Sequence, residues 1–311
     1  MKNTILLRLV KPLMVLATII WGSSFIVLKD TLNYMSVLFI LAMRFSIGAV
    51  ILLLVKRKAW KTIDRTSLLG GTVMGVLLFV AYVLQTFGLA DTTPGKNAFF
   101  TSVYCIIVPF LYWAIERNRP DRYHLLAALF CVTGIGFVSW DGGFFLSEGD
   151  CLTLISGFLY AVHIIAVTHF TKGRDALLLT AIQFTVTALL SWLFVPLQGF
   201  PQGDISSYAW LGILYLGVFS TAIALSFQNI GQKYTEPSVA AVLLSLEAPF
   251  GVLFSVLFYQ ERPTGFMFCG FGLIFLAVIC SETKFSFLPF CKSKQSVTSS
   301  VCHTNSQKQD E

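Results

Sequence analysis

A stretch of the first half of this chain recurs in the second half at a constant offset of 143 residues, with no gap. Ala81, Gln85, Gly88, Pro94, Ala98, Ser102, Arg119 and Pro120 return as Ala224, Gln228, Gly231, Pro237, Ala241, Ser245, Arg262 and Pro263. The chain also holds ten apolar stretches, five in each half. An odd number of crossings per repeat turns the second copy upside down relative to the first. Few architectures satisfy both constraints. Within a bilayer every backbone polar group must be paired internally, so apolar segments of this length cross as helices. Inverted copies of one helical unit then pack about an axis in the membrane plane, an arrangement found in carriers.

Composition agrees with the repeat. Of 311 residues, 56% are hydrophobic and 12% charged, against roughly 25% charged in soluble domains. The net charge of +6 is spread between spans rather than gathered in a patch, which argues against nucleic acid as a partner. The basic start, Met1 to Lys11, precedes an apolar run from Pro12 to Leu28 that ends in Lys29-Asp30 without a small-residue cleavage site. It reads as a retained first span. Seven cysteines, odd in number and without a C-x-x-C pair, read as small hydrophobes rather than disulfide or zinc partners.

A span needs about 17–25 apolar residues. The sequence places ten helices near 12–29, 36–55, 68–89, 94–115, 123–140, 151–170, 176–197, 208–230, 238–259 and 264–281. The longest outer connections are Asp141–Asp150 and Gln198–Ser207, and the polar tail after Phe290 is expected to be disordered. With the N-terminus cytoplasmic, inner segments carry eighteen Lys and Arg residues and outer segments three: Lys29, Lys96 and Arg262. That positive-inside bias puts both termini in the cytoplasm. Asp141, Glu148 and Asp150 in the outer loop between the halves agree with it. The repeat extends more loosely to the second and seventh spans, where Ala42-Met43-Arg44-Phe45 meets Ala181-Ile182-Gln183-Phe184 at an offset of 139.

Two ionisable residues fall near mid-span, Arg44 and Glu247. Charges at that depth cost at least about 2.5–3.5 kcal/mol and mark a function or a partner. Glu247 stands two residues before Pro249, where a freed carbonyl and a bend accompany proline. It could bind a cation, a proton or a solute amine, or pair with Arg44. The repeat counterpart of Arg44 is the neutral Gln183, so symmetry asks for no charge there, and Arg44 reads as a helix-packing or interface residue. Gln85 and Gln228 either line a shared cavity from opposite sides or bond neighbouring backbone, as amides in membrane helices often do. Pro94 and Pro237 open their helices in an ordinary way. Pro109 and Pro249 lie inside theirs and are candidate hinges.

Other residues read more simply. Gly71 and Gly75 form a G-x-x-x-G whose close packing serves the bundle interior. Trp21, Tyr82, Tyr104, Tyr112 and Tyr160 lie inside spans, lining a cavity or packing. Trp60, Tyr123, Trp140 and Tyr208 lie at span ends as interface anchors. His163 and His169, six apart, do not share a helix face, so no metal pair is expected. No H-E-x-x-H, G-x-S-x-G or Walker loop is present; no catalytic residue is assigned and ATP-driven transport in cis is excluded.

In this order and spacing the residues resemble the drug/metabolite transporter superfamily, in its EamA-type branch, from residue 12 to 281. The pieces are Trp21-Gly22-Ser23-Ser24-Phe25, Arg44, Tyr82 to Leu89, Thr92-Thr93-Pro94, Asn97 to Phe100, Leu246-Glu247-Ala248-Pro249 and Gln260-Glu261-Arg262. The resemblance implies an all-α membrane protein of ten transmembrane helices in two inverted five-helix repeats, 1–143 and 144–285, with 286–311 as a cytoplasmic tail. It implies a central cavity, alternating access and a secondary carrier. The chain departs from symmetry where Asn118 stands opposite Glu261. On this reading the protein sits in a bacterial inner membrane and moves small metabolites, with amino-acid export leading. Uptake of a nucleotide-like or cofactor metabolite is the alternative, and a membrane-embedded enzyme or scaffold a remote one. Trp21, Gln85, Asn97, Tyr104, Gln228 and Glu247 are expected to contact the solute. No cofactor or metal is expected; coupling to protons is open, and the partners are the solute and the bilayer, with room for a homodimer.

Overall fold

The computed structural model describes residues 2–117, 119, 121–138, 146–202, 205–259 and 264–283. The expectations attached to Asn118, Pro120, Trp140, Asp141, residues 260–263, the tail 286–311 and the Trp60 side chain lie outside what it describes. The fold is all-helical among the described residues. The first three spans are α1 (Lys2–Thr31), α2 (Val37–Val55) and α3 (Arg65–Asp91). The fourth is split into α4 (Pro94–Thr101) and α5 (Tyr104–Glu116), and α6 (Arg122–Val138) completes the first half. The second half holds α7 (Glu148–Thr171) and α8 (Ala176–Gln198). Its eighth span is α9 (Ser207–Tyr215), a π-helical stretch (Leu216–Leu225) and α10 (Ser226–Lys233). The ninth is split into α11 (Pro237–Leu244) and α12 (Glu247–Tyr259), and α13 (Gly265–Thr283) is the tenth. Eight of these spans are long and apolar enough to cross a membrane by length and composition. The shorter fifth and tenth pack on each other, with Phe137 stacked on Phe266 at 6.0 Å.

Local chemistry sets the helix starts. Asp64 accepts from Ser67 N at 3.0 Å to open α3, and Thr93 accepts from Lys96 N ahead of Pro94 to open α4. Ser147 and Asp150 form a reciprocal capping box at the start of α7. Each satisfies backbone N–H groups that the first turn leaves unpaired. Asp175 caps α8 through Leu177 N and Leu178 N, and its other oxygen accepts from Lys56 Nζ. Asp175→Ala is expected to lose about 0.5–2 kcal/mol through the cap. Asp175→Asn keeps the cap and loses an exposed ion pair worth about 0–1 kcal/mol. Thermal unfolding in detergent should therefore separate the two variants, Ala well below Asn; equal midpoints would mean the cap contributes nothing.

Tertiary bonds define two opposite faces of the bundle. On one, Lys29 Nζ donates to Leu89 O, Ala90 O and Thr92 O at the end of α3. Asp91 there accepts from Gly149 N, and Thr92 donates to Asp150. On the other, Lys56 meets Asp175, Lys233 Nζ donates to Arg174 O, and Lys172 stands 3.7 Å from Glu116. The C-terminal end of α1 thus lies beside the N-terminal end of α7. This is the inversion the odd span count requires.

Burial is inside out relative to a soluble protein. Leu189, Leu193, Leu197 and Phe258 are exposed, while Arg44, Asn97, His163, Gln183, Asn229 and Gln232 are sealed within. Lipid is as good a solvent for leucine as another helix, so small residues and polar contacts fix the packing instead. A Cβ at Gly71 would come within 2.6 Å of Ile182 and one at Gly75 within 2.7 Å of Val186. The G-x-x-x-G therefore seats α3 on α8. Phe45 of α2 and Phe184 of α8, partners at the 139 offset, meet edge to face at 5.8 Å. Residues related by the repeat touching each other place the pseudo-two-fold axis between α2 and α8.

The two split helices break at equivalent points, Ser102-Val103 and Ser245-Leu246. Ser102 Oγ donates to Ala98 O and Ser245 Oγ to Val242 O, a back-bonding that competes with the helical ladder and bends it. Pro249 is the third residue of α12, where its missing N–H leaves no bond unmade, and Pro109 lies inside α5. The interruptions therefore precede both prolines rather than sit on them.

Candidate functional site

The broken helices and the π-helical stretch converge on one cavity at the centre of the bundle. Its empty space, mouth included, is about 520 Å³. The wall is organised by the repeat. At the offset of 143 it contains Tyr82 with Leu225, Gln85 with Gln228, Thr101 with Leu244 and Tyr104 with Glu247. Carrying the offset of 139 to the first and sixth spans adds Trp21 with Tyr160 and Phe25 with Ile164. Twelve of its fifteen residues fall into these six pairs. The cavity is built on the pseudo-two-fold axis.

At the axis, Tyr104 donates its hydroxyl to Glu247 Oε1 at 2.9 Å. The carboxylate stands at the first residue of α12, where the helix restarts after its break. Its backbone N–H groups and dipole there favour negative charge. Glu247 is 5% exposed and is in no ion pair among the described residues. The expected alternative, pairing with Arg44, is not what the structure contains. Arg44 donates from Nε to Thr221 Oγ1 and from Nη2 to Ser220 Oγ, both at 2.9 Å. Its guanidinium lies 4.8 Å from the Tyr82 ring centroid, a cation–π contact that stabilises a desolvated cation.

Ser220 and Thr221 belong to the π-helical stretch, and Trp21 Nε1 donates to Ser220 O at 3.0 Å. π geometry turns successive side chains differently from an α-helix and is common at functional sites. Here it aims two hydroxyls at one guanidinium. Arg44 is therefore both a packing residue between α2 and the eighth span and part of the cavity wall. Sequence symmetry, with Gln183 as its neutral counterpart, points to a helix-packing or interface role.

Gln85 is fixed by side chains rather than by neighbouring backbone. Its Nε2 donates to Thr101 Oγ1 at 2.9 Å and its Oε1 accepts from Tyr160 at 2.7 Å. Trp21, Gln85, Tyr104, Gln228 and Glu247 are brought together on the wall. Asn97 is not on it. Its Nδ2 donates to Gln85 O and to Thr153 Oγ1, so it holds the third, fourth and sixth spans around the site. Pro109 and Pro249 lie outside the wall as well. The arrangement brings one cation, one carboxylate, two amides and aromatic faces to one shared space. No grouping of three or more His, Cys, Asp or Glu side chains that could hold a metal occurs among the described residues.

Comparison with known proteins agrees with this geometry. A protein of Archaeoglobus fulgidus called an uncharacterized transporter is 33% identical over 264 residues, 85% of this chain and 82% of that one. A transporter of Acidianus ambivalens, named for the sor 3' region and also uncharacterized, is 24% identical over 253 residues, 79% of this chain and 94% of its own. A solved structure described only as a protein superposes with a TM-score of 0.71 over 87% of this chain and 96% of its own, at 18% identity; that likeness speaks to the fold. The EamA-like transporter family matches residues 10–140 and 147–283, one match for each half. This chain belongs to the EamA-like transporter family, as a multi-pass membrane protein built of two inverted five-helix repeats.

Proposed function

We infer that this transporter is a secondary carrier of small zwitterionic metabolites, with amino-acid export as its leading activity. The observation that carries the reading is the pairing of charges in one wall. Arg44 and Glu247 both line the cavity, neither is in an ion pair among the described residues, and each is held by neutral groups. A buried charge without an opposite partner is expensive, and a solute carrying both an ammonium and a carboxylate supplies both partners at once. The wall's one cation gives no set of bases for a nucleotide's phosphates. Glu247 exchanging a proton for the solute ammonium would couple transport to a proton gradient. The excess of Lys and Arg on the Asp175 face supports placing that face, and both termini, in the cytoplasm of an inner membrane.

The test uses purified protein in vesicles loaded with labelled amino acids, with efflux followed with and without an imposed proton gradient. Protein-dependent, gradient-stimulated efflux is expected. Arg44→Gln, which installs the residue of the opposite half, should slow a carboxylate-bearing solute about tenfold or more, since bonds to charged groups are worth about 1.5–3 kcal/mol. The corresponding amine without a carboxylate should move at the wild-type rate. Equal slowing of both would assign Arg44 to architecture, and no efflux of any amino acid by the wild type would remove the proposed substrate class.

A further inference from the structure

The cavity departs from its own symmetry in one direction. Three wall residues have repeat partners that are not on the wall: Ser24, Leu28 and Arg44. All three belong to the first half. At the 139 offset their partners are His163, Val167 and Gln183, all in the second half and all fully buried. Ser24 and Leu28 follow Trp21 along α1 toward the Asp91 face. His163 and Val167 follow Tyr160 along α7 toward the opposite, Asp175 face. The wall is thus a symmetric centre with a one-sided extension.

Val167 packs in an apolar cluster with Met74 and Leu179, but the two polar partners are not packed as an ordinary core. The ring nitrogens of His163 and Nε2 of Gln183 make no well-formed hydrogen bond, although the two side chains lie close enough to interact with each other. Asn229 Nδ2 donates to Thr180 Oγ1 and to Gln183 Oε1, but its own Oδ1 has none. One turn further along α10, both amide atoms of Gln232 are also without a partner. Their counterparts on the wall are satisfied: Ser24 donates to Trp21 O, and Arg44 to Ser220 and Thr221. Each unpaired buried polar group costs about 1–3 kcal/mol. Such a cluster is stable as a permanent interior only if something else fills its bonds. In an inverted repeat the two halves exchange environments when the carrier changes state, which gives these atoms a time at which they are solvated.

Resting on the carrier reading above, we propose that His163, Gln183 and Asn229 form a second solute site, shut in this structure, on the path from the central cavity to the Asp175 face. In the alternate state the cavity extends along His163, Val167 and Gln183 and withdraws from Ser24, Leu28 and Arg44. The site takes uncharged hydrogen-bonding groups of the solute through imidazole and amide atoms. It holds no fixed charge where Arg44 holds one. A solute carboxylate therefore meets a guanidinium on one side of the cycle and neutral amides on the other.

Cysteine labelling in the full-length protein, with its native cysteines replaced and the replaced protein checked for transport, tests this in reconstituted vesicles. Ser24→Cys, His163→Cys, Gln183→Cys and Val167→Cys are each exposed to a membrane-impermeant methanethiosulfonate from either side. Ser24→Cys is expected to react from the Asp91 side only. The other three are expected to react from the Asp175 side only, at rates reduced about tenfold to a thousandfold below a surface cysteine if the alternate state is the minor one. Val167→Cys carries no polar group and keeps the test informative if the polar variants do not fold. Reaction of the three from neither side, or from the side that reaches Ser24→Cys, overturns the proposal. Labelling is read without transport, so opposite-sided reaction in a protein that moves no amino acid would sustain this site while removing the substrate class proposed above.

Discussion

Glu247→Gln is expected to cut solute efflux about tenfold and to abolish its stimulation by a proton gradient, while the protein remains folded. The fold should tolerate the change because Gln presents the same volume and the same acceptor to Tyr104, whose hydroxyl reaches Glu247 Oε1 at 2.9 Å. What is lost is charge. A hydrogen bond from a solute ammonium to a carboxylate is worth about 1.5–3 kcal/mol, and one to a neutral amide about 0.5–1.5 kcal/mol. The difference of roughly 1.4 kcal/mol corresponds to a factor of ten. The loss of gradient dependence is the sharper sign, since an amide has no proton to exchange. Efflux should be measured beside thermal unfolding in detergent. Full, gradient-stimulated efflux by this variant would remove the carboxylate from the mechanism.

The repeat was legible in the sequence because the residues that carry it cannot drift freely. Gly88, Pro94, Ala98 and Ser102 sit where helices approach or break, and a membrane interior tolerates few substitutes at such points. The same logic accounts for five of the six candidate residues lying on the cavity wall. Gln85 and Gln228, and Tyr104 and Glu247, are mates at one offset, and mates near the axis face a common space. Asn97 looked equivalent from its position near Gln85. What places it behind the wall is its bond to Thr153 of a distant helix, which no local pattern announces.

Arg44 shows the opposite limit. Its neutral counterpart Gln183 made symmetry argue against a role in the cavity, yet the asymmetry is the informative feature. The wall has a charge on one side of the axis and an amide behind it on the other. The π-helical stretch that receives Arg44 was not legible either, since Leu216–Leu225 has an ordinary apolar composition. Its geometry answers to bonds from Arg44 and Trp21, both far away in sequence. The prolines lie in the fourth and ninth spans, which are interrupted, but not at the interruptions. The residues at the breaks are serines, Ser102 and Ser245, whose hydroxyls compete for carbonyls one turn back.

Gly22→Ala is expected to be strongly damaging, a single methyl placed beside the cavity. Gly22 lies on α1 next to Trp21, where α1 crosses the start of α12. A Cβ there would stand 2.6 Å from Phe250 Cβ, 2.8 Å from Phe250 C and 2.9 Å from Gly251 N. Two of those three neighbours are main chain, so no side-chain rotation relieves the contact. The two helices must separate, and Glu247 at the head of α12 moves with them. Overpacking of this kind costs about 1–3 kcal/mol where side chains can adjust, and the backbone contact places Gly22→Ala at or above the upper end. The measurement is thermal unfolding and monodispersity after extraction, with Gly136→Ala as the matched control. Gly136 lies inside α6 with nothing within 4 Å of its added Cβ, and alanine in a compatible helix stabilises by about 0.4–1 kcal/mol. The two glycines should therefore respond in opposite directions. A Gly22→Ala protein as stable as the wild type, with undiminished efflux, would mean that α1 and α12 do not meet through their backbones and that the wall between Trp21 and Glu247 is looser than its geometry requires.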